Sequence, residues 1–139
     1  MEDGVAESTT LEENFIVDRY YKRGFSRGIR LMWKEISRHS RELIKQFNIL
    51  AQSSKTPVSA LSGGNIQKLI LARELSGNPK VLIAAQPTRG VDIGAAEYIH
   101  SRLSHQRASG TATLVVSEDL DEVFALSDRI AVMFEGKIM

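Results

Sequence analysis

The sequence has no cysteine and only a few prolines, histidines and aromatic residues. Its 139 residues include 3 prolines and 3 histidines, and aromatic side chains make up 6% of the chain. Without cysteine there can be no disulfide framework, no thiolate zinc site and no thiol nucleophile. Any metal would need histidine or carboxylate ligands, and His39, His100 and His105 are not spaced as a ligand pair. Surface or helix-packing roles are expected for all three.

Long apolar runs are also missing. The two longest, 81–85 and 130–134, are five residues each, whereas a helix that spans a bilayer needs roughly 20. The first twenty residues are acidic and include Arg19 as their one basic side chain, so neither a signal peptide nor a transit peptide is expected. With 42% hydrophobic residues, 25% charged residues and a net charge of +1, the composition indicates an ordinary soluble domain without wholesale nucleic-acid binding.

Basic residues are concentrated between positions 19 and 45, where nine of them stand against two acidic ones. Apolar residues in this stretch recur at steps of three and four from Ile29 to Phe47, and Ser26 can cap a helix. The pattern predicts an amphipathic helix of about 20 residues that starts after Ser26. Its basic residues mostly fall outside the apolar stripe, so a solvated face is favoured over a phosphate or headgroup contact.

The remainder of the chain alternates between helical and strand patterns. Short apolar runs predict buried strands, and the order strand, helix, strand, helix, strand predicts right-handed crossovers and a parallel sheet. Three strands are fewer than a doubly wound domain usually has, so we expect the second part of a larger α/β domain. The predicted elements are a helix at 64–76, a strand at 81–85, a helix from 92 or 94 to about 107, a strand at 114–116, a helix at 119–126 and a strand at 130–134.

The most informative segment is residues 61–68, LSGGNIQK. Ser62 followed by Gly63 and Gly64 at the start of a helix brings unpaired backbone N–H groups, a hydroxyl and the positive end of the helix dipole to one point. Such an arrangement binds anions. An ordinary serine-capped helix with a tight glycine turn would use the same residues, and the spacing alone does not decide between the two.

Residues 61–68 resemble the signature motif of the ABC transporter ATPases. The further resemblances follow in the order that the family has, and together they cover roughly residues 56–139. The segments at 86–90 and 117–122 are more narrowly similar to the second ATPase half of the tandem ATP-binding subunits of simple-sugar and nucleoside importers. The matching segments are 81–88 (VLIAAQPT, Walker B strand and turn), 89–92 (RGVD, D-loop), 115–123 (VVSEDLDEV, switch region), and 127–130 with 135–138 (the strand pair that follows).

The resemblance implies a partial P-loop ATPase domain of the α/β class. Residues 1–78 would form an N-terminal arm and a helical subdomain that includes the signature helix, and residues 79–139 the C-terminal part of the parallel-sheet core. The Walker A pattern Gly-x-x-x-x-Gly-Lys-Ser/Thr does not occur in the sequence. Tight ATP binding by the isolated chain is therefore not expected.

Three positions depart from the family pattern. Ala85 stands where the family has an aspartate that helps to hold magnesium, and Gln86 stands where it has a glutamate that polarises the attacking water. A methyl group cannot organise a magnesium hydration shell, and a carboxamide is not a base. Glu118 replaces the switch histidine that contacts the γ-phosphate, and it can equally be a surface carboxylate that caps the following helix. We expect no intact catalytic residue and no metal ligand here.

The signature residues are intact, so the resemblance implies an asymmetric role. Ser62, Gly63, Gly64 and Gln67 would contact the γ-phosphate of an ATP–magnesium complex held mainly by another ATPase half, and Asp92 would help to set the contact between halves. The implied partners are that half, in the same polypeptide or a second subunit, and membrane permease subunits. The implied location is the cytoplasmic face of the cell membrane.

Two other interpretations compete with this one. A non-enzymatic assembly or regulatory module could keep the fold and the interface without productive nucleotide contact. A basic helix at residues 19–45 could bind nucleic acid or an anionic membrane. The sequence disfavours this last interpretation, because the net charge is near neutral and no exposed aromatic residues are expected among the basic ones.

Overall fold

The computed structural model describes residues 4–139. Helices and short strands alternate along this part of the chain, and a single turn of 3₁₀ helix at Val58–Ala60 precedes the third helix. The elements in chain order are α1 (Leu11–Ile16), β1 (Ser26–Arg27), β2 (Arg30–Leu31), α2 (Trp33–Gln46), α3 (Gly63–Leu75), β3 (Val81–Ala85), α4 (Ile93–Ala108), β4 (Ala112–Val116), α5 (Leu120–Leu126), β5 (Met133–Phe134) and β6 (Lys137–Ile138).

The first three helices enclose one hydrophobic core. Leu11 and Phe15 of α1 are completely buried and pack with Leu43 of α2 and Leu69 of α3. Thr10 and Glu13 form a reciprocal capping box that fixes the start of α1. This core therefore holds α3, which carries the glycine pair, against two other helices.

Arg19 ties the segment after α1 to the end of α3. Its side chain is buried, pairs with Asp18 at 2.8 Å, and donates hydrogen bonds to the backbone carbonyl of Arg73 and the hydroxyl of Ser76. Hydrogen bonds to ionised groups are stronger than those between neutral groups. The guanidinium and the Ser76 hydroxyl thus both donate to the Arg73 carbonyl, one of the carbonyl groups in the last turn of α3 that the helix itself does not satisfy.

The helix predicted to follow Ser26 begins later than expected. Ser26 lies in a β-hairpin instead, and α2 starts only at Trp33 with no side-chain cap at Met32. Gly28 explains the difference, since its φ of +62° belongs to a tight two-residue turn and is incompatible with a right-handed helix. Ile29, which the periodicity placed on the apolar stripe, lies at the tip of this hairpin.

Strands β3 and β4 are parallel and joined through α4, which confirms the predicted crossover unit. Val81 pairs with Ala112 and Ala85 with Val116, so the carboxyl ends of both strands reach the same edge. A second hydrophobic cluster forms where Ile99 and Leu103 of α4 meet Leu126 of α5 over one face of this sheet. Leu71 and Leu82 contact both clusters and connect them. The division at residues 78 and 79 stays a prediction.

The prediction that β3 is buried on both faces is wrong. Val81 and Ile83 are 66% and 68% exposed, and Leu114 and Val116 of β4 are more than half exposed. Helices α3, α4 and α5 pack on the other face, which Leu82, Ala84 and Val115 occupy. The apolar run correctly predicted a strand, but among residues 4–139 nothing covers its second face.

The predicted third parallel strand at 130–134 is also not observed. Only Met133 and Phe134 are extended, and they pair antiparallel with Ile138 and Lys137 in a hairpin. Glu135 and Gly136 both have positive φ, which is the geometry of a two-residue hairpin turn. The hairpin corresponds to the strand pair that the family resemblance implied. The parallel sheet of residues 4–139 therefore has two strands.

Candidate functional site

The glycine-rich segment opens a helix as expected, because α3 begins at Gly63 with Ser62 as its N-terminal cap residue. The Ser62 hydroxyl does not cap its own helix. It accepts a hydrogen bond of 2.9 Å from the Asn65 side chain, while the Ser62 carbonyl accepts from the amides of Asn65 and Ile66. Ser62 is exposed, and its O–H remains available as a donor to a group outside residues 4–139.

The amides of Gly63 and Gly64 are the first two of α3. Within residues 4–139 neither of them donates a hydrogen bond to a protein acceptor. Both amides carry the partial positive charge of a helix N-terminus, and the exposed Ser62 hydroxyl lies next to them. The three groups together can accommodate one oxygen-rich anion.

A close contact between helices, which the sequence does not predict, also favours glycine at position 64. A Cβ at this position would lie 3.1 Å from the Cβ of Ala95 and 3.6 Å from Oδ2 of Asp92. At Gly63 the nearest atom would be the carbonyl oxygen of Gly90, at an ordinary 3.8 Å. The start of α3 therefore packs closely against the start of α4, and only Gly64 is needed for this contact.

Gln67 and Lys68 lie one turn further along α3 and have different surroundings. Gln67 is half-buried and lines a cavity of about 160 Å³ together with Ala85 and Pro87. Lys68 donates to the carbonyl of Asn48 at 3.3 Å, and its ammonium lies 4.9 Å from the centre of the Tyr98 ring. The positive charge of Lys68 is thus engaged in packing between α3 and its neighbours.

Asp92 caps the N-terminus of α4. Its Oδ1 accepts a hydrogen bond of 2.8 Å from the Ala95 amide, and its side chain is exposed. This cap holds the first turn of α4 where it contacts Gly64. The structure therefore brings Asp92 together with the glycine pair, and a contact between Asp92 and another ATPase half stays a proposal.

Ala85 and Gln86 end β3 at the edge where Val116 ends β4. The Gln86 amide donates to the Val116 carbonyl at 2.7 Å, and Gln86 has a φ of +49°. Side chains other than glycine and asparagine rarely adopt this conformation. The exposed methyl of Ala85 and the carboxamide of Gln86 offer no anionic oxygen to a magnesium ion. Within residues 4–139 there is also no group of three or more histidine, aspartate or glutamate side chains that could hold a metal ion.

Glu118 follows β4 and is exposed. The interpretation that it caps the next helix is wrong, because Asp119 does so with hydrogen bonds to the amides of Asp121 and Glu122. Asp119 is the better placed residue because a side chain in the cap position reaches the second and third amides of the helix. The Glu118 carboxylate lies at the same sheet edge as Gln86 and adds a negative charge there.

A buried carboxylate below this edge was not predicted. Glu122 is 2% exposed and accepts hydrogen bonds from the Thr88 hydroxyl at 2.8 Å and from Nε2 of His100 at 2.9 Å. Burial raises the pKa of this carboxyl, but hydrogen bonds from Ser117, His100 and Thr88 outweigh burial and hold the pKa below its usual value. One signal was available: Glu122 lies four residues before the buried Leu126 and so shares its helix face.

The arrangement of helices and strands defines the fold class of the protein. The part of the chain that the structure describes has the fold of an ATP-binding cassette of ABC transporters, in partial form. It superposes on an ATP-binding cassette dimer in a post-hydrolysis state bound to ADP and phosphate, with a TM-score of 0.76 and 24% identity over 96% of this chain and 56% of that one. A nucleotide-free ATP-binding cassette from an ABC transporter gives a TM-score of 0.72 and 28% identity, over 96% of this chain and 55% of that one. No protein-family model matches the chain.

The sequence is homologous to the ATP-binding proteins of importers. It is 46% identical over 136 residues to the nucleoside import ATP-binding protein NupA of Lactococcus lactis, which is 98% of this chain and 27% of that protein. It is 46% identical to the guanosine import ATP-binding protein NupO of Bacillus subtilis, over 91% of this chain and 25% of that protein. The glucose import ATP-binding protein TsgD13 of Haloferax volcanii is 42% identical over 98% of this chain and 25% of that protein.

The chain thus spans about a quarter of the length of the relatives it matches. None of the helices between residues 4 and 139 is both long and apolar enough to cross a bilayer.

Proposed function

We propose that this chain supplies the signature surface of an ABC importer to an ATP site whose phosphate-binding loop lies on another ATPase half. The observation that carries the proposal is the start of α3, where the Gly63 and Gly64 amides have no acceptor among residues 4–139 beside the exposed Ser62 hydroxyl. The homology to import ATP-binding proteins supports a nucleotide as the anion.

In this arrangement ATP and magnesium are bound mainly by the partner half, and the γ-phosphate presents the negative charge. The Ser62 hydroxyl would donate a hydrogen bond to a γ-phosphate oxygen, and the amides of Gly63 and Gly64 would approach the same group. Gln67 would lie one turn behind these donors, on the side of α3 that faces the end of β3. The Asn65 side chain, which already donates to Ser62, would orient the serine oxygen.

The site that would use this chain's own residues 85–118 is degenerate in our proposal. Ala85 and Gln86 lack the carboxylates for magnesium and water, and the exposed Glu118 would repel a γ-phosphate. The chain would therefore complete a catalytic site without being the catalytic half. We propose that the chain belongs to the second half of a tandem ATP-binding subunit, and the proposal is supported by the part of the relatives that the chain matches, which is their C-terminal part.

The relatives suggest the wider setting. Their names give nucleosides, guanosine, glucose and ribose as the imported compounds. We propose a nucleoside or simple-sugar importer, with permease subunits as membrane partners and a location at the cytoplasmic face of the membrane. The imported compound would be selected by those partners and not by the surface that α3 presents.

The test is complementation in solution. The chain is mixed with an ATP-binding cassette that has an intact phosphate loop and catalytic carboxylates but an arginine in place of its own signature serine. We expect ATP hydrolysis to rise above that of the cassette alone. Ser62→Arg in this chain should abolish the increase, whereas Ser101→Arg, at an exposed serine on α4, should preserve it.

The competing interpretation makes a different prediction in the same experiment. An assembly or regulatory module would form the complex without increasing hydrolysis, and Ser62→Arg would then change nothing. Sedimentation of the mixture separates this outcome from a simple failure to associate.

A further inference from the structure

The hairpin of β1 and β2 projects an apolar tip into solvent. Gly28 and Ile29 form its two-residue turn, and the Ile29 side chain is fully exposed. The hairpin is attached to the molecule at its base, where the Met32 amide donates to the Phe25 carbonyl at 2.8 Å and the Phe25 ring lies 5.0 Å from the His39 ring of α2. An isoleucine at the end of an anchored projection gains nothing from the chain's own core.

Two arginines flank this tip. Arg27 and Arg30 are directly opposite each other in the antiparallel pair, and both are exposed. Within residues 4–139 no carboxylate forms an ion pair with either of them. Like charges directly opposite one another destabilise a strand pair. An anionic partner would convert this repulsion into attraction.

Exposed aromatic side chains lie in the same segment, contrary to the sequence-based expectation. Tyr20, Tyr21 and Trp33 are 55%, 67% and 45% exposed, and Met32 beside the tryptophan is 40% exposed. The helical pattern had placed Trp33 in the interior of a long amphipathic helix. Because the hairpin replaces the first turns of that helix, Trp33 instead stands at the start of α2.

Basic side chains, interfacial aromatics and a projecting aliphatic residue are the combination that favours the boundary between headgroups and acyl chains. We infer that the β1–β2 hairpin contacts an anionic phospholipid surface, with Ile29 inserted at the boundary and Arg27 and Arg30 paired with phosphate groups. The inference concerns a surface other than the start of α3, and it does not depend on the proposed role of the chain in ATP hydrolysis.

Ile29 is the reason to favour lipid over other anions. Nucleic acid would pair with the arginines but would leave a side chain at this position against phosphates and solvent. An acidic protein segment would need a complementary recess for a projecting tip, whereas a lipid surface deforms around it. A lipid surface takes up the cations and the aliphatic tip together without a preformed recess.

The test is binding of the 139-residue chain to lipid vesicles. Trp33 is the single tryptophan, and it lies beside the hairpin, so its emission reports the contact directly. We expect a blue shift and co-sedimentation with vesicles of phosphatidylcholine mixed with phosphatidylglycerol. Neither effect should occur with phosphatidylcholine alone, and added salt should weaken both.

Charge-matched variants locate the contact. Arg27→Gln with Arg30→Gln should lower the partition coefficient about 30-fold, as expected for two basic residues that leave an anionic surface. Arg41→Gln with Lys45→Gln removes the same charge from exposed positions of α2 and should lower the partition coefficient only a few-fold. Ile29→Ser should lower the partition coefficient about tenfold without changing how binding depends on salt.

Several outcomes would overturn the inference. Equal losses in the two charge-matched variants would mean that the net charge and not the hairpin binds. Absence of binding to the mixed vesicles would also refute it, as would binding to DNA or to an acidic peptide but not to the vesicles. The arginine variant relieves a repulsion and should remain folded, which circular dichroism checks.

Discussion

His100 on α4 and Glu122 on α5 form a hydrogen-bonded pair in which the carboxylate is buried and the imidazole is partly exposed, with Nε2 of the histidine 2.9 Å from Oε1 of the glutamate. Because an ionised carboxylate only accepts hydrogen bonds, Nε2 carries the hydrogen in this contact. The same carboxylate oxygen accepts from Thr88, in the turn that follows β3. One side chain therefore connects the ends of the two parallel strands to the helix between them.

The Glu122→Gln substitution should destabilise the fold by about 1–2 kcal/mol. The amide keeps the size of the side chain but loses the charge that strengthens its hydrogen bonds with Thr88 and His100. Asp121→Asn, on the exposed side of the same helix, should change the stability by less than about 0.5 kcal/mol. Urea unfolding followed by circular dichroism measures both free energies of unfolding, and equal effects would show that the buried Glu122 carboxylate contributes no more to stability than the exposed Asp121.

The stability should fall in acid, and Glu122 should account for part of the fall. The folded-state pKa of this carboxyl lies below its usual value of 4.5, despite burial, because Ser117, His100 and Thr88 hydrogen-bond to the ionised form. The unfolded chain then binds more protons, so this contribution to stability is present above about pH 4.5 and is lost as the pH drops through the folded pKa. Urea midpoints measured against pH should decline less steeply in Glu122→Gln.

Two other carboxyl groups also contribute to the acid dependence of the stability, in the wild type and in Glu122→Gln alike. A hydrogen bond from the Thr10 backbone lowers the pKa of Glu13, and a hydrogen bond from Arg19 lowers the pKa of Asp18. Protonation of these two carboxyl groups also lowers the stability as the pH falls. Glu13 and Asp18 are unchanged in Glu122→Gln, so their share of the acid dependence remains in that variant. An acid dependence identical in the wild type and the variant would contradict the role of Glu122.

The two glycines at the start of α3 should respond differently to alanine. Gly64→Ala places a methyl group 3.1 Å from the Cβ of Ala95, which is buried, whereas Gly63→Ala meets only an ordinary contact. Alanine is otherwise preferred to glycine in helices by about 1 kcal/mol. We expect Gly64→Ala to be the less stable variant by about 1 kcal/mol in thermal unfolding. The reverse order would show that α3 and α4 can separate without cost.

The isolated chain should show no ATP hydrolysis above background, and Gln86→Glu should not restore it. The substitution supplies a carboxylate at the end of β3, but Ala85 beside it still offers no magnesium ligand, and the sequence has no phosphate-binding loop. A phosphate-release assay with purified protein measures this. Turnover in Gln86→Glu that disappears on Ser62→Arg would contradict the assignment of these positions.

The uncovered face of the β3–β4 sheet should cause self-association. Val81, Ile83, Leu114 and Val116 are all more than half exposed on one side of two strands, and contiguous apolar surface of this kind promotes association. Light scattering should show concentration-dependent oligomers, and Ile83→Glu should reduce them. Ile93→Glu, at an exposed isoleucine on α4, serves as the control. A monomer at all concentrations in the wild type would contradict this prediction.

Local signals in the sequence predicted much of the helical structure. The ranges of α3, α4 and α5 agree with the predictions to within a few residues, because Ser62, Asp92 and Asp119 mark the helix starts and Gly77 with Pro79 marks a stop. The start of α2 was mispredicted because one residue, Gly28, adopts a positive φ that apolar periodicity does not register. Helical spacing on both sides of a glycine is compatible with a hairpin followed by a helix.

Relationships between distant residues were not predictable in the same way. His100 and Glu122 are 22 positions apart and meet only because β4 runs parallel to β3 and brings α5 against α4. The exposure of Val81 and Ile83 likewise depends on which elements lie over the sheet. The sequence of the strand does not predict those elements. The motif identifies positions such as Ser62 and Gly64, but the contact of Gly64 with Ala95 depends on how α3 and α4 pack, which the motif does not specify.

The buried guanidinium of Arg19 gives α3 an unequal electrostatic character at its two ends. Its bond to the Arg73 carbonyl compensates the partial negative charge of the carboxyl end inside the protein. The amino end, at Gly63, has no comparable compensation among residues 4–139. Because Asp18 already balances the charge of Arg19, what distinguishes the two ends is hydrogen bonding: the carboxyl end of α3 is occupied inside the protein, and the amino end keeps amide donors that no acceptor among residues 4–139 uses.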